Sequence, residues 1–208
     1  MNKKLKMEKD SAAYQISGWK IPATNETSSW GIYGVPPESP DRKQLCYTAN
    51  PGEIDVSLDH RHKVHPAELW VCNIKGRDPR KLFSGKSFFH NGLNQSWVDN
   101  KHIAFANIYK MDENTQIDTG SGESWSADTY IVNSENGEIA FGPFEGFSLA
   151  HYARKGKVLM FINSDLDCQR SGREQGIYEL DTANGEIREV LAYDQGICHL
   201  QYSPCGDK

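Results

Sequence analysis

The hydrophobic residues of this chain fall in short runs, separated by turns rich in Pro, Asp, Asn, Gly and Lys. One kind of segment places such a turn ahead of an apolar strand. It occurs at Ser39–Tyr47, Ser96–Phe105 and Tyr152–Phe161, and it begins again at Tyr202–Lys208. The turns recur roughly every 50 to 58 residues, and self-similarity at such a period is the sequence signature of a repeat fold.

A second kind of segment follows each complete copy of the first and consists of an apolar strand, a polar turn and another strand. Its copies are Glu68–Gly76, Asp128–Ile139 and Gly176–Ile187. The pairs Asn136-Gly137 and Asn184-Gly185 predict type I′ hairpin turns, in which both central residues have positive φ. Each repeat is therefore predicted to contain two hairpins, and so four antiparallel strands.

Four antiparallel strands per repeat form the unit of a β-propeller blade, which buries its faces against neighbouring blades. We therefore expect an all-β fold, a partial propeller of about three to four blades, in an incomplete propeller domain over residues 35–208. An ordinary β-sandwich is the alternative. Residues 1–34 are expected to form a separate amino-terminal segment, either a frayed terminus or a strand that completes the last blade of a ring.

The end of the chain falls inside a repeated turn, at Ser203–Lys208. Propellers close with about four to eight blades, which is more than these residues supply. We therefore expect the chain to be the amino-terminal part of a longer propeller.

Composition agrees with a turn-rich β protein. The 208 residues are 38 % hydrophobic and 11 % aromatic, include 18 glycines, and have a mean hydropathy of −0.66. These values exclude a coiled coil and a membrane protein. The formal net charge of −5 argues against nucleic acid and anionic membranes as partners. Five widely spaced cysteines and the lack of a signal-peptide core predict a reducing, cytoplasmic location.

The repeated turns and strands resemble the TolB-type propeller repeat. Within that group, His199–Pro204 is similar to the His-x-x-aromatic-x-Pro stretch of the oligogalacturonate lyases. The resemblance implies a seven-bladed propeller that binds a divalent metal, often manganese, in its central funnel. It also implies a uronate oligosaccharide as substrate, which is cleaved by β-elimination.

Two histidines are assigned by this resemblance, His199 as a metal ligand and His151 as the catalytic base. β-Elimination beside a uronate requires a neutralised substrate carboxylate and a nearby base. His151 precedes Gly156 by five residues and His199 precedes Gly206 by seven. Because both offsets are odd, the two side chains are expected on the same side of the innermost strands. A purely structural role for each histidine is the alternative.

Four further residues are candidates to bind the substrate. Arg170 and Arg173 lie in a predicted loop over residues 164–175 and suit bidentate contacts with carboxylates. The alternative to substrate binding is that both arginines are solvated and pair with neighbouring acidic residues of the same loop. Trp125, in a second predicted loop, is a candidate to stack on sugar, and His90 is a candidate for the funnel.

Two other functions fit the same pattern of strands. One is a non-catalytic TolB-type propeller that binds a protein or a glycan with its rim. The other is the propeller of a prolyl-oligopeptidase-like peptidase, whose hydrolase domain would lie beyond Lys208. The chain itself contains no Gly-x-Ser-x-Gly elbow and no phosphate-binding glycine loop.

Overall fold

The computed structural model of the chain describes residues 27–29, 35–51, 64–88, 92–110 and 125–193. Within these ranges the backbone forms three four-stranded antiparallel sheets and one short helix. The first sheet contains β1 (Thr27–Ser29), β2 (Gln44–Asn50), β3 (Val64–Asn73) and β4 (Arg80–Phe88). The second contains β5 (Ser96–Trp97), β6 (His102–Lys110), β7 (Trp125–Asn133) and β8 (Ile139–Glu145). The third contains β9 (Ser148–Arg154), β10 (Lys157–Ile162), β11 (Gly176–Asp181) and β12 (Glu186–Ala192), with α1 (Asp165–Ser171) between β10 and β11.

Each sheet is a meander, in which every strand pairs with the strand that follows it in the sequence. The all-β, blade-like fold predicted from the repeats is therefore confirmed in three successive copies. Within the predicted amino-terminal segment, Thr27–Ser29 pairs with Thr48–Asn50. This piece of the amino-terminal segment thus belongs to the first sheet.

The core lies between consecutive sheets, as expected for stacked blades. Alternation along β10 directs Val158 and Met160 toward the second sheet, where they share a buried cluster with Ala104 and Ile131. A second cluster joins the first sheet to the second and includes Leu69 and Phe105. Each described sheet is therefore held mainly by apolar contact with its neighbour.

The hairpin turns follow two geometries. Lys155 and Gly156 both have positive φ, 48° and 76°, and they connect the paired residues Arg154 and Lys157. This two-residue turn is of type I′.

The predicted type I′ turns at the two Asn-Gly pairs are wrong. There, only Gly137 and Gly185 have positive φ, 77° and 76°. The Gly137 amide donates to the Asn133 carbonyl at 2.9 Å, and the Gly185 amide donates to the Asp181 carbonyl at 2.8 Å. Each hairpin is thus closed over a longer loop, and its glycine supplies the single left-handed residue that the loop needs.

The meander topology separates short turns from long connections. The short turns of neighbouring sheets lie on one side, because the Gly156 amide donates to the Val98 carbonyl at 3.2 Å and the Asp41 amide donates to Asn100 Oδ1 at 2.9 Å. The connections β2–β3, β6–β7 and β10–β11 leave the opposite ends of the strands. We call that side the long-connection face.

Residues 164–175, predicted as a loop, contain the helix α1 on this face. Ser164 caps the helix, since its side chain accepts a hydrogen bond from the Asp167 amide at 3.1 Å. Gly172 ends it in the left-handed region, with φ at 68° and its amide donating to the Cys168 carbonyl. The spacing Ser164-x-x-Asp167 is a capping signal from which the helix could have been predicted.

Candidate functional site

An open cavity of about 720 Å³ lies on the long-connection face, between α1, the start of β11 and the end of β12. We call it the candidate cavity. Its lining combines acidic, basic, amide, thiol and phenol groups, from Asp165, Cys168, Arg173, Glu174, Gln175, Ala192 and Tyr193. Volumes of a few hundred to a thousand Å³ are typical of small-molecule sites.

Charges of both signs line this cavity. Arg173 is exposed, and its guanidinium lies 5.5 Å from the centroid of the Tyr178 ring, within the range of a cation–π contact. The Tyr178 hydroxyl also donates to the Glu174 carbonyl at 2.8 Å. Tyr178 therefore holds the backbone and the arginine of one cavity wall, while the carboxylates of Asp165 and Glu174 supply negative charge.

Tyr193 lines the cavity next to Gln175, whose carbonyl accepts a hydrogen bond from the Tyr193 amide at 3.5 Å. Its hydroxyl donates to Asn163 Oδ1 at 2.6 Å. Burial raises the pKa of the Tyr193 phenol to about 12. The phenol therefore stays neutral at physiological pH and can contribute hydrogen bonding but no charge.

Arg170 fastens α1 to the second sheet. Its Nη1 and Nη2 atoms contact the two carboxylate oxygens of Asp128 on β7, at 2.8 Å and 3.0 Å. Nη1 also donates to Ser126 Oγ at 2.7 Å. The Asp128 side chain is only 4 % exposed, and it accepts a further bond from the Gly146 amide at 3.0 Å. This planar, two-point contact is the strong form of an arginine–carboxylate pair.

The pair of Arg170 with Asp128, which lies in another sheet, was not anticipated from the sequence. Asp128 is 42 residues away in sequence. Spacing alone could not have identified it, and the predicted substrate-binding role of Arg170 stays a prediction.

Asp167 is the second buried acid at the junction of α1 with the second sheet. It is 5 % exposed, and its carboxylate accepts hydrogen bonds from the hydroxyls of Ser126 and Ser164. Burial raises the pKa of this carboxyl, against the opposing effects of the two hydroxyls and of Arg170. Its protonated form is therefore favoured by the fold.

A pH-dependent stability follows from this raised pKa. The contribution of Asp167 is fully present below its unfolded pKa of about 3.8 and is lost as the pH rises through the folded value. We expect Asp167→Asn, which cannot ionise, to gain stability relative to wild type as the pH increases from about 4 to 7. Urea unfolding at four pH values measures this, with Asp165→Asn on the same helix as the matched control. A difference between wild type and Asp167→Asn that stays constant with pH would contradict the expectation.

His151 lies in β9, at an irregularity of the strand. Val158 pairs with Ala153, but Met160 pairs with Leu149, so residues 150–152 stand opposite Leu159 alone. Strict alternation does not hold across such a bulge. The expected same-side placement of His151 and His199 therefore does not follow from their offsets, and the role of His151 as a base stays a prediction.

The remaining predicted site residues are placed as follows. Trp125 is the first residue of β7, paired with Lys110, rather than a loop residue as predicted. Arg173 lines the candidate cavity. His90 and His199 lie outside the described residues, so their predicted roles are untested.

The described part of the chain shows no cluster of the usual metal-ligating side chains. Within residues 27–29, 35–51, 64–88, 92–110 and 125–193, no three His, Cys, Asp or Glu side chains are grouped so that they could hold a metal ion. The divalent metal therefore stays a prediction tied to His199. In the same ranges, no helix has the length and apolar character needed to cross a bilayer.

Three polar atoms between the first and second sheets were not anticipated from the sequence. Asn50 Oδ1, His65 Nε2 and Ser87 Oγ are buried without a hydrogen-bond partner. His65 and Ser87 are opposite one another on β3 and β4. Buried polar atoms of this kind commonly bind internal water.

Comparison with known proteins gave matches only among solved structures, since no family model and no curated protein matches the chain. An acylaminoacyl peptidase in complex with Z-Gly-Gly-Phe-chloromethyl ketone is 13 % identical with a TM-score of 0.46, over 79 % of this chain and 25 % of that one. A mutant puromycin hydrolase complexed with PGG is 17 % identical with a TM-score of 0.29, over 76 % and 28 %. A mutant of Synechocystis ACO is 15 % identical with a TM-score of 0.34, over 76 % and 37 %.

The chain thus spans about a quarter to somewhat over a third of the length of these proteins. Similarity at such identities concerns the fold and carries no information on substrate or activity. The resemblance to oligogalacturonate lyases gains no support from these matches.

Proposed function

We propose that this chain is part of a β-propeller that binds peptides on its long-connection face, as the non-catalytic domain of a peptidase would. The observation that supports the proposal is the mixed charge of the candidate cavity, in which Arg173 lies in the same lining as Asp165 and Glu174. The proposal assigns ligand binding, and no bond cleavage, to the described residues.

An unblocked peptide matches this lining group by group. Its carboxylate suits the planar fork of Arg173. Its ammonium group suits the carboxylates of Asp165 and Glu174, and its amides can pair with Gln175 and the neutral Tyr193 phenol. The ligand would then leave few polar groups of the cavity without a partner.

A uronate oligosaccharide matches the same lining less well. Every sugar unit brings a carboxylate, which Arg173 could bind but which Asp165 and Glu174 would repel. Like charges brought together in a binding site cost free energy and select against a partner. The cavity charges, rather than the remote likeness to known structures, therefore favour a peptide over the uronate expected from the lyase resemblance.

Calorimetric titration of the full chain tests the proposal. We expect unblocked tetra-alanine to bind more tightly than its N-acetylated, C-amidated form, and trigalacturonate not to bind. Arg173→Gln is expected to weaken tetra-alanine binding by on the order of tenfold, the effect of losing one charge-assisted contact. Arg77→Gln is the matched control, because Arg77 is exposed on the β3–β4 turn at the other end of the strands.

The contrary outcome is equally specific. Tighter binding of trigalacturonate than of tetra-alanine would reject the peptide proposal. Manganese-dependent growth of ultraviolet absorbance from an unsaturated uronate product would restore the lyase. Equal losses of affinity in Arg173→Gln and Arg77→Gln would place the peptide elsewhere on the chain.

A further inference from the structure

The wall of the candidate cavity that α1 provides is attached to a different sheet from the rest of the cavity. The other lining residues follow α1 in the chain and lead into β11 or end β12, all in the third sheet. The helix itself is seven residues long and has one capping residue at each end, Ser164 and Gly172. Helices of this length have little stability of their own and depend on tertiary contacts.

The polar side-chain contacts of α1 with the second sheet converge on β7. Arg170 makes its two-point pair with Asp128 and donates to Ser126, and Ser126 also donates to Asp167. The carboxylate of Asp128 is buried and already oriented by the Gly146 amide at 3.0 Å. Because the Asp128 carboxylate is already oriented and the arginine contact is made at two points, the pair sets the position of the helix along β7 and strengthens its packing on the sheet.

Two lining residues sit on the helix that this pair holds. Asp165 begins α1, and Cys168 lies one residue beyond Asp167, with its side chain packed against the core between the second and third sheets. A displacement of α1 would move both of them relative to Arg173 and Tyr193 on the other walls.

We infer that Asp128, which does not line the candidate cavity, is a positioning residue for it, acting through Arg170 on α1. This inference rests on the proposed peptide-binding function. The pair of Asp128 with Arg170 then joins two successive sheets in one site. Ligand binding on the third sheet depends on the Asp128 carboxylate of the second.

Thiol labelling tests the positioning without any ligand. We expect Asp128→Asn, which keeps the shape of the side chain, to increase the rate of Cys168 alkylation by iodoacetamide by on the order of tenfold. Trypsin separates the thiols, because residues 158–170 contain only Cys168 and residues 64–75 contain only Cys72. Cys72 is 2 % exposed and reports global unfolding, so its labelling rate should stay unchanged.

Binding of tetra-alanine by the full chain is the second measurement. Asp128→Asn should weaken it by on the order of tenfold. The control is Ile103→Val, a substitution in the core between the first and second sheets. Both variants are compared at urea concentrations that lie equally far below their own unfolding midpoints. Arg170→Gln should behave like Asp128→Asn, and the double variant should be no worse than either single variant if both act through one contact.

The outcomes separate the inference from the proposed function. Faster Cys168 labelling with unchanged peptide affinity, or equal losses of affinity in Asp128→Asn and Ile103→Val, would overturn the positioning role. Unchanged Cys168 labelling would overturn it as well. If the wild-type chain binds no peptide, the proposed function fails, and labelling alone then decides whether Asp128 holds α1.

Discussion

Replacing Gly146 by alanine is expected to lower the free energy of unfolding by about 2 to 5 kcal/mol. Gly146 lies between β8 and β9 with φ at 73°, in the left-handed region that alanine avoids. An added Cβ would also lie 2.4 Å from the Asp167 carbonyl oxygen and 3.1 Å from the Ser171 amide nitrogen. The backbone of α1 therefore approaches this turn so closely that only glycine fits.

Gly172→Ala is the matched control for this substitution. Gly172 has almost the same φ, 68°, but an added Cβ would meet no atom within 4 Å. It should therefore lose only the conformational part, about 1 to 2 kcal/mol. Urea unfolding of the two variants isolates the steric part, and equal losses would show that α1 does not pack on the turn as described.

The sequence could predict the sheets because their signals are local. The apolar strands, the Lys155-Gly156 turn and the recurrence of the two segment types depend on residues that are close together in the chain. The turns at the two Asn-Gly pairs were predicted correctly in position but wrongly in type, because the length of the hairpin loop decides which residues take positive φ.

The candidate site could be predicted only in part. Arg173 was singled out from the sequence and lines the cavity, whereas the ion pair of Arg170 was missed because Asp128 lies in another sheet. The offset argument for His151 assumed a regular strand, and a bulge depends on register with the neighbouring strand rather than on local sequence. The capping signal at Ser164 could have predicted α1, but the docking of α1 on β7 depends on residues that are far apart in the sequence.

The second large effect is expected from Phe105→Ala, at about 3 to 5 kcal/mol of unfolding free energy. Phe105 is fully buried on β6 and stacks on Tyr130, its partner on β7, with ring centroids 5.3 Å apart and planes 11° apart. The Phe83 ring of the first sheet lies 4.6 Å from that of Phe105 and 5.4 Å from that of Tyr130, so the three rings form one cluster. Truncation would therefore leave a cavity within the second sheet and at its contact with the first.

Val190→Ala serves as the control for Phe105→Ala, since Val190 lies on β12 and is 49 % exposed. It should change the unfolding free energy by no more than about 0.5 kcal/mol. Hydrogen exchange can then locate the damage of Phe105→Ala. If the sheets are stacked as blades, amides of β3 and β6 should lose more protection than those of β10 and β11, because a blade contacts only its neighbours. Equal loss of protection in all three sheets would instead indicate one cooperative core, and would contradict a blade-by-blade assembly.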